Sequence, residues 1–487
     1  MGRLVVVSNR IADPRKPAAG GLAVALGEVL QATGGLWFGW SGRIVEGGTP
    51  GEGELHVQQA GTVTLATVDL SRKDHDTYYA GYSNGVLWPV FHYRLDLADF
   101  DAECADGYRR VNRLFARKLL PLLRPDDVVW VHDYHLIPLA AELRAAGCAQ
   151  RIGFFLHIPM PPPPIMAAIP QHEWLMRALF SYDLVGFQGR TDLDHFVGHA
   201  TTGMGATTKD RHRLDAFGRT VRADAFPIGI DVEEFERLGR SKEARDAFVT
   251  TRDEYARRRL LIGVDRLDYS KGIPHRIRAF RELLNAYPDT RHSATLIQIA
   301  SPSRESVDAY ADIRIELERL CGALNGDFGD LEWVPVRYIH RTVARRRLPG
   351  LYRAARVGVI TPLRDGMNLV AKEYVVSQAE SDPGVLVLSR FTGAAEQLDE
   401  ALLVNPYDIH GTAEALQQAL SMSLGERQMR HRALLERIRR HDVHHWCDSF
   451  LEALDESAAD AFRQRAQARR SRRPADPARP APATPRP

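Results

Sequence analysis

The feature of this sequence that most restricts its fold is a series of short apolar runs, rich in β-branched residues, separated by longer segments with helical periodicity. Strands that are buried on both faces read as continuous apolar runs, and they occur in parallel sheets covered by helices. The pattern therefore predicts an α/β fold. The runs are residues 4–7, 128–131, 152–156, 184–187, 260–264, 295–299, 357–360 and 385–388.

The runs fall into two series, which predicts two domains. A chain of 487 residues exceeds the size at which one hydrophobic core stops growing. Residues 227–231, followed by a highly charged segment at 233–259, mark the change from one series to the next. We place the first domain at 1–235 and the second at 236–462. The final helical segment of the second domain is expected to pack back across the first.

Residues 463–487 differ in composition from the rest of the chain. They contain eight arginines, one acidic residue and six prolines, which give the segment a net charge of +7. No large apolar residue follows Phe462, so this segment cannot bury enough surface to offset its ordering entropy. We predict a disordered tail. The rest of the chain carries a net charge of −5, which argues against a general nucleic-acid binder.

Cysteine usage and hydropathy restrict the class of protein further. The four cysteines are far apart and form no C-x-x-C pair, which argues against a disulfide framework or a zinc knuckle. No apolar stretch approaches the 18 or so residues that cross a bilayer, and the first ten residues enter a strand-like run. We therefore predict a cytoplasmic protein without a membrane partner. The sequence leaves a homo-oligomer open.

Polar residues follow the apolar runs of the first series, where ligands gather in doubly wound sheets. The first run is followed by Ser8, Asn9 and Arg10. A predicted helix then begins at Gly20 and Gly21, and a glycine pair lets the backbone approach an anionic ligand closely. The Val-His-Asp-Tyr-His run that contains Asp133 and the Leu-His-Ile-Pro run that contains His157 end two further strands. Sugar hydroxyls are the contacts that we favour for these two segments.

The second series carries a sharper group of charged residues. Arg266 and Lys271 lie five residues apart in one loop after a strand, and such cations suit a diphosphate leaving group. Asp365 lies in a Gly-containing loop that ends another strand and precedes a predicted helix. The N–H groups of that helix would face a bound anion. Glu373 lies within the same helix, where a carboxylate can accept two hydrogen bonds from ribose hydroxyls.

Several other classes of site are disfavoured. The sequence lacks both G-x-G-x-x-G and G-x-x-x-x-G-K-[ST], which argues against a dinucleotide oxidoreductase and a P-loop kinase. Three Asp-x-Asp triplets, at 74–76, 99–101 and 192–194, do not follow a convincing strand, and the histidines lack zinc-ligand spacing. We predict no metal site and no cofactor.

Taken together, these segments resemble the trehalose-6-phosphate synthase family of retaining glycosyltransferases. The resemblance runs in family order from residue 4 to about 455 and leaves only the tail outside it. It implies two Rossmann-like domains that face each other across a cleft, the GT-B arrangement. The matching motifs are VSNR (7–10), GGL (20–22), WFGW (37–40), LWP (87–89), VHDYHL (131–136), FFLHIP (154–159), VGFQ (185–188), PIGID (227–231), RLDYSKG (266–272), TPLRDGMNLVAKEY (361–374) and LVNPYD (403–408).

The resemblance implies a role for individual residues. The first domain would bind the acceptor and the second the nucleotide sugar. Catalysis is assigned to Arg266, Lys271, His157 and Asp365, of which His157 and Asp365 contact the transferred glucose. The acceptor residues are Arg10, Tyr79, Trp88, Asp133 and Arg304. The donor residues are Gly20, Gly21, Arg266, Lys271, Val343, Leu369 and Glu373.

The family resemblance implies transfer of glucose from a nucleotide sugar, UDP-glucose being favoured, to glucose 6-phosphate, without a metal. One departure from the family pattern is Met160, which four prolines follow. Two rivals remain open: transfer to another phosphorylated acceptor such as glycerol 3-phosphate, and a non-catalytic subunit that senses sugar phosphate. The sequence does not rank UDP, GDP and ADP donors.

Overall fold

The structure is a computed structural model that describes residues 2–11, 26–27, 29–31, 33–210, 212–303 and 308–471, with the backbone alone for 308 and 458–471. Gly20, Gly21 and Arg304 lie outside the described residues, as does 472–487. The helical backbone runs past Arg463 to Ser471, into the segment predicted to be a disordered tail. Within the described part of the chain, no helix is both long enough and apolar enough to cross a membrane.

The first sheet has ten strands in the order β3-β4-β2-β1-β5-β6-β7-β10-β9-β8. Strands β4 to β10 of that order pair in parallel, whereas β3, β9 and β8 add antiparallel edges. The strands are β1 Leu4–Arg10, β2 Gly35–Val45, β3 Leu55–Ala60, β4 Val63–Ser71, β5 Val128–His132, β6 Arg151–Phe155, β7 Leu184–Phe187, β8 Thr207–Thr208, β9 Arg213–Ala216 and β10 Arg219–Ala225.

The second sheet is wholly parallel and has six strands in the order β13-β12-β11-β14-β15-β16. Strand order reverses at β11, as it does at β1 in the first sheet. Such switch points open a crevice at the carboxyl ends of the strands. The strands are β11 Arg259–Arg266, β12 Ala294–Ser301, β13 Val336–Ile339, β14 Val357–Ile360, β15 Val385–Ser389 and β16 Leu402–Val404.

Helices cover both sheets. The longer α-helices are α1 Ala102–Leu119, α2 Leu139–Ala145, α3 His172–Leu179, α4 Arg190–Gly198, α5 Val232–Gly239, α6 Lys242–Glu254, α7 Ile273–Ala286, α8 Asp308–Phe328, α9 Leu348–Ala354, α10 Leu369–Ser377, α11 Ile409–Ser421, α12 Leu424–Arg440 and α13 Val443–Ser471. Short α-helical turns lie at Arg72–Asp74, Trp88–Phe91 and Pro163–Met166, and π-helices at His75–Leu87 and His199–Gly203. Short 3₁₀ helices lie at Leu95–Leu97, Leu120–Leu122, Tyr134–Leu136, Tyr269–Lys271, Pro288–Thr290, Arg345–Arg347 and Gly393–Glu396.

The α/β fold class is confirmed, and each of the eight predicted runs is a strand. Strands β1 and β5 show why: Val5, Val6 and Val7 are fully buried and pair in register with Val129, Trp130 and Val131. The eight apolar runs do not include β2 and β4, which also lie in the parallel part of the first sheet. Glycines, or a mixture of polar and apolar residues, interrupt their apolar character.

The predicted boundary after residue 235 falls inside α5, whose first turn Asp231 caps by accepting a hydrogen bond from the Glu234 N–H at 2.7 Å. The division of the chain at this residue stays a prediction. Three of the four cysteines are buried, Cys104 is partly exposed, and all four are free thiols.

The last helix, α13, packs against the first sheet although it follows the second sheet in sequence. Phe450 is fully buried and stacks on Trp130 with ring centroids 4.7 Å apart. Its ring lies over Gly153 of β6 and Gly186 of β7, where only hydrogen atoms leave room for it. Arg222 of β10 adds an ion pair to Glu456 at 2.8 Å. This helix therefore ties the carboxyl-terminal part of the chain to the first sheet.

Gly153→Ala should destabilise the protein because the new Cβ would lie 2.8 Å from two carbons of the Phe450 ring. Overpacking of this kind costs about 1–3 kcal/mol, to be measured as a lower midpoint of urea unfolding. The matched control is Gly326→Ala in α8, where the added Cβ meets open space. That change should stabilise by about 0.5–1 kcal/mol through helix propensity. A Gly153→Ala protein as stable as the unsubstituted chain would show that α13 yields without cost.

Candidate active site

The carboxyl ends of the two sheets face each other, and side chains cross the gap between them. The guanidinium of Arg266, at the end of β11, lies 5.8 Å from the ring centroid of Trp88. The guanidinium of Arg364 lies 4.5 Å from the ring centroid of Tyr93. On one edge of the gap, the Glu396 carboxylate accepts hydrogen bonds from the N–H groups of Arg190 (2.7 Å) and Thr191 (3.2 Å) and so caps α4 from the opposite domain. The structure therefore has a closed cleft.

Arg10 leaves the end of β1 and lies against an aromatic wall. Its guanidinium is 5.5 Å from the ring centroid of Trp40, and Trp40 in turn lies 5.6 Å from Tyr79. A Cβ at Gly42, which has a φ of 87°, would lie 2.5 Å from the Arg10 guanidinium. Among the residues that the structure describes, Arg10 has no carboxylate partner. Its exposed charge can therefore bind an anion in the cleft.

Asp133 follows β5 in a backbone conformation that a non-glycine residue rarely adopts, with a φ of 77°. Its carboxylate accepts a hydrogen bond from the His157 N–H at 3.1 Å, which fixes the start of the His157 loop. Strain of this kind persists where the surrounding structure holds it, and it is common at binding sites. Trp88 lies on the same side of the cleft, with ring centroids 5.7 Å from Tyr134, the residue after Asp133.

His157 is a neutral imidazole with a defined tautomer. Gln188 Oε1 accepts from the Ile228 N–H at 3.0 Å, so the Gln188 amide presents Nε2 to His157 Nδ1 at 3.3 Å. The proton of His157 is then on Nε2, which donates to Nδ1 of His132 at 3.0 Å. Burial lowers the pKa of His157 to about 3 and that of His132 well below its usual value. The ring therefore carries no charge at neutral pH.

The loop after β11 presents Lys271 to the cleft. Asp268 stabilises the turn by accepting hydrogen bonds from the Ser270 N–H at 2.9 Å and the Tyr310 hydroxyl at 3.0 Å. Gly272 adopts a φ of 62°, and a Cβ there would lie 2.4 Å from the carbonyl oxygen of Thr361. The loop therefore packs tightly on the loop after β14, and Lys271 Nζ donates to Asp365 Oδ2 at 2.6 Å.

Asp365 is ionised and held from two sides. Burial by itself would raise its pKa, but the adjacent Lys271 ammonium and the Asn368 amide, 3.1 Å away, hold the pKa of Asp365 below its usual value. Asn368 caps α10 by accepting from the Ala371 N–H at 3.2 Å. A Cβ at Gly366 would lie 2.1 Å from the carbonyl oxygen of His157, so only glycine permits this approach of the two domains. The amino end of α10, which begins at Leu369, thus opens towards the His157 loop.

Glu373 lies in the second turn of α10, close to α9 and to the segment that precedes α9. The Tyr352 hydroxyl donates to Glu373 Oε2 at 3.4 Å. Burial raises the pKa of Glu373 to about 7, although the positive charge of Arg345 opposes this. Val343 and Leu369 are partly buried against the apolar cluster that contains Tyr352. Arg345 is itself paired with Glu234 at 2.7 Å, which anchors this Arg-rich segment to α5.

Most of the residues predicted from the sequence therefore lie around one cleft. Arg10, Tyr79, Trp88, Asp133 and His157 line the side of the first sheet, and Arg266, Lys271, Asp365, Leu369 and Glu373 line the side of the second. Gly20, Gly21 and Arg304 cannot be placed because they lie outside the described residues.

Sequence reasoning missed the residues that hold the two sides together. Glu396 and Lys372 were not singled out, and Gln188 was matched to a motif without a contact. Of these three residues, only Lys372 has a recognisable local signal, because it is a lysine in the middle of an apolar helical stretch. The partners of all three lie far away in the sequence, so no spacing rule could have identified them.

One group of described side chains brings potential metal-ligand atoms together, namely Glu54, His56 and Asp69. His56 lies on β3, Asp69 on β4 and Glu54 directly before β3, and none of the three is a predicted site residue. The Asp69 carboxylate already accepts from Ser41 at 2.6 Å and pairs with Arg43 at 2.9 Å. A guanidinium thus occupies the position that a cation would take.

Comparison with known proteins gives a consistent result. The family model of glycosyltransferase family 20 matches residues 7–456. A trehalose-6-phosphate synthase of Sinorhizobium fredii is 49% identical over 465 residues, which cover 94% of this chain and 99% of that protein. The crystal structure of a UDP-forming α,α-trehalose-phosphate synthase of Burkholderia xenovorans with glucose 6-phosphate has a TM-score of 0.89 at 50% identity, covering 93% of this chain and 100% of that one. The Escherichia coli structure bound with UDP-2-fluoro glucose has a TM-score of 0.88 at 46% identity, with 93% and 99% covered.

Proposed function

Because the chain belongs to glycosyltransferase family 20, we propose that its cleft transfers glucose from UDP-glucose to glucose 6-phosphate and releases trehalose 6-phosphate and UDP. This is the activity for which its trehalose-6-phosphate synthase relatives are named. The observation that carries this conclusion is the meeting of two sets of residues, with the Arg266 guanidinium 5.8 Å from the Trp88 ring. The relatives solved with glucose 6-phosphate and with a UDP-glucose analogue support both substrates.

On the donor side, Arg266 and Lys271 would bind the diphosphate, with the N–H groups at the start of α10 facing the same anion. Glu373 would accept hydrogen bonds from the ribose hydroxyls, and Val343 and Leu369 would lie beside the nucleoside. Gly20 and Gly21 would complete this side from the first domain. The pairing of Lys271 with Asp365 at 2.6 Å supports this proposal, because it fixes the ammonium before the donor arrives.

On the acceptor side, Arg10, Tyr79 and Arg304 would bind the phosphate of glucose 6-phosphate, and Trp88 and Asp133 would contact its sugar ring. The exposed guanidinium of Arg10 against the Trp40 ring supports this assignment. His157 and Asp365 would contact the transferred glucose, since the carbonyl of His157 and the Asp365 loop meet at Gly366.

The chemistry needs electrostatic stabilisation and no protein nucleophile. The acceptor hydroxyl forms the new bond to the anomeric carbon on the face from which the diphosphate leaves, and a leaving phosphate oxygen takes the hydroxyl proton. Negative charge then develops on the diphosphate, where Arg266 and Lys271 stabilise it more strongly in the transition state than in the ground state. His157 is neutral and Asp365 is ionised, so neither serves as the general acid.

The product identifies the function directly. Purified protein is incubated with UDP-, GDP- or ADP-glucose and with glucose 6-phosphate or glycerol 3-phosphate, and products are identified by mass spectrometry and NMR. We expect trehalose 6-phosphate with retained α-configuration, formed fastest from UDP-glucose. A glucosylated glycerol phosphate would instead identify the rival acceptor. Absence of product from every pair would identify a non-catalytic, sugar-phosphate-sensing subunit.

We also propose that transfer needs no metal, because the cations of Arg266 and Lys271 can neutralise the diphosphate charge. Chelation by EDTA should leave the rate largely intact. An inactive chelated enzyme that regains activity with magnesium or manganese would refute this. A cytoplasmic location, a homo-oligomeric state and the lack of a nucleic-acid partner are likewise proposals that rest on the sequence. Cell fractionation, light scattering and nucleic-acid gel shifts test them.

The ionisation of Glu373 should make donor binding depend on pH. Burial raises the pKa of Glu373 to about 7, and the ionised form is the better acceptor for ribose hydroxyls. As pH falls through about 7, protonation should therefore raise the KM for UDP-glucose, by at most about tenfold per pH unit. Glu373→Gln should have a higher KM that no longer changes over this range. A KM for the unsubstituted enzyme that is constant between about pH 8 and about pH 6 would contradict the assignment of Glu373.

A further inference from the structure

The backbone of one residue in the segment that joins the two domains, Ile228, is held by a side chain from each of them. The N–H of Ile228 donates to Oε1 of Gln188 at 3.0 Å, and its carbonyl oxygen accepts from Nζ of Lys372 at 2.7 Å. Gln188 directly follows β7 of the first sheet, and Lys372 lies in α10 beside the second. Gln188, Ile228 and Lys372 are each at most 2% exposed.

Each of these two side chains is also connected to the cleft. Gln188 donates through Nε2 to Nδ1 of His157 at 3.3 Å and so fixes the tautomer of that ring. Lys372 directly precedes Glu373 in α10, the helix whose amino end faces the diphosphate position. The backbone of Ile228 therefore lies midway in a chain of contacts that runs from the donor-side helix to the His157 loop.

The burial of Lys372 is costly unless its hydrogen bonds compensate. Its ammonium has no carboxylate partner among the described residues and makes its second hydrogen bond to a neutral group, Oε1 of Gln397, at 2.7 Å. Burial lowers the pKa of Lys372 to about 7, and the amine that forms on deprotonation keeps two N–H groups, so both hydrogen bonds persist in either state. An apolar side chain of the same length would fill this space at lower cost. The hydrogen bond to the joining segment is what an apolar residue could not supply.

We propose that Lys372 and Gln188 are positioning residues that set the placement of α10 relative to the His157 loop by holding the backbone N–H and carbonyl groups of Ile228 from opposite sides. The proposal rests on the proposed function, because it assigns these residues to the closed cleft in which glucose is transferred. In this scheme UDP binds mainly to the second domain, with Gly20 and Gly21 completing the site from the first, whereas transfer needs both sides in register. Loss of either residue should therefore affect turnover more than nucleotide binding.

The test is a double-mutant cycle with Lys372→Met and Gln188→Met, which remove the hydrogen bonds at nearly unchanged side-chain length. Each substitution should lower kcat about tenfold or more, in line with the loss of a hydrogen bond to a buried or charged group. The double variant should be little slower than the slower single variant, because both side chains act through the backbone of the same residue, Ile228. The Kd for UDP, measured by calorimetry, should change less than about threefold. The matched control is Lys242→Met on the exposed first turn of α6, which should leave both kcat and the Kd for UDP unchanged.

Three outcomes would overturn the proposal. The first is a loss of kcat in the double variant that equals the product of the two single losses. The second is a loss of UDP affinity as large as the loss of kcat, and the third is an unchanged kcat in folded single variants. If Lys372→Met fails to fold, the kcat and the UDP affinity of Gln188→Met alone test the proposal. This variant keeps the lysine and removes the hydrogen bond from the Ile228 N–H to Gln188. An unsubstituted enzyme that makes no trehalose 6-phosphate would refute the proposed function. An active enzyme with unaffected variants would refute only this inference.

Discussion

Lys271→Ala should lower kcat by about 10²–10³, since removal of one donor aimed at developing charge costs about 2.7–4 kcal/mol. The ammonium lies 2.6 Å from Asp365, in a loop held by Asp268 and Gly272. It is thus oriented before the donor binds, and little reorganisation is needed as charge builds on the diphosphate. Removing it also leaves the buried Asp365 carboxylate without its ion-pair partner, so the pKa of Asp365 should rise and the melting temperature should fall.

The measurement is steady-state kinetics with both substrates varied, together with thermal unfolding. Lys242→Ala provides the control, because that lysine is exposed and lies outside the cleft. Combining Lys271→Ala with Asp365→Asn separates the two effects: the neutral amide should restore part of the melting temperature without restoring kcat. If kcat were unchanged and only the KM for UDP-glucose rose, Lys271 would contribute uniform binding and no transition-state stabilisation.

Arg10→Ala should raise the KM for glucose 6-phosphate about tenfold to a hundredfold, because a charge-assisted hydrogen bond to phosphate contributes about 1.5–3 kcal/mol. The guanidinium is exposed at the end of β1, and the Trp40 ring and the absent side chain of Gly42 set its position. The Kd for UDP should change little. The variant should also discriminate less between glucose 6-phosphate and free glucose, because the lost contact is the one that recognises the phosphate.

Arg43→Ala is the matched control for Arg10→Ala. Arg43 lies on β2 near Gly42, but its guanidinium pairs with Asp69 at 2.9 Å and has no assigned role in the acceptor site. Arg304→Ala should give the same signature as Arg10→Ala if both residues bind one phosphate. An Arg10→Ala enzyme with weaker UDP binding and an unchanged KM for glucose 6-phosphate would place the acceptor phosphate elsewhere.

The sequence by itself determined the fold class and the residues around the cleft. Strands such as β1, β5 and β11 are buried on both faces, so their apolar runs are visible without knowledge of their neighbours. The residues that follow them, Arg10 and Arg266 among them, had to lie at the carboxyl edge because parallel strands end together. The strands β2 and β4 could not be recognised as apolar runs, because glycines and polar residues interrupt their apolar character.

Only the tertiary structure decided which of these residues meet and in what charge state. The approach of Gly366 to the His157 carbonyl, the capping of α4 by Glu396 and the hold of Lys372 on Ile228 join residues from opposite domains. The neutral ring of His157 and the raised pKa of Glu373 likewise arise from burial by distant segments. Local sequence encodes propensity and hydrophobic period, whereas contacts across a cleft depend on how two finished sheets pack against each other.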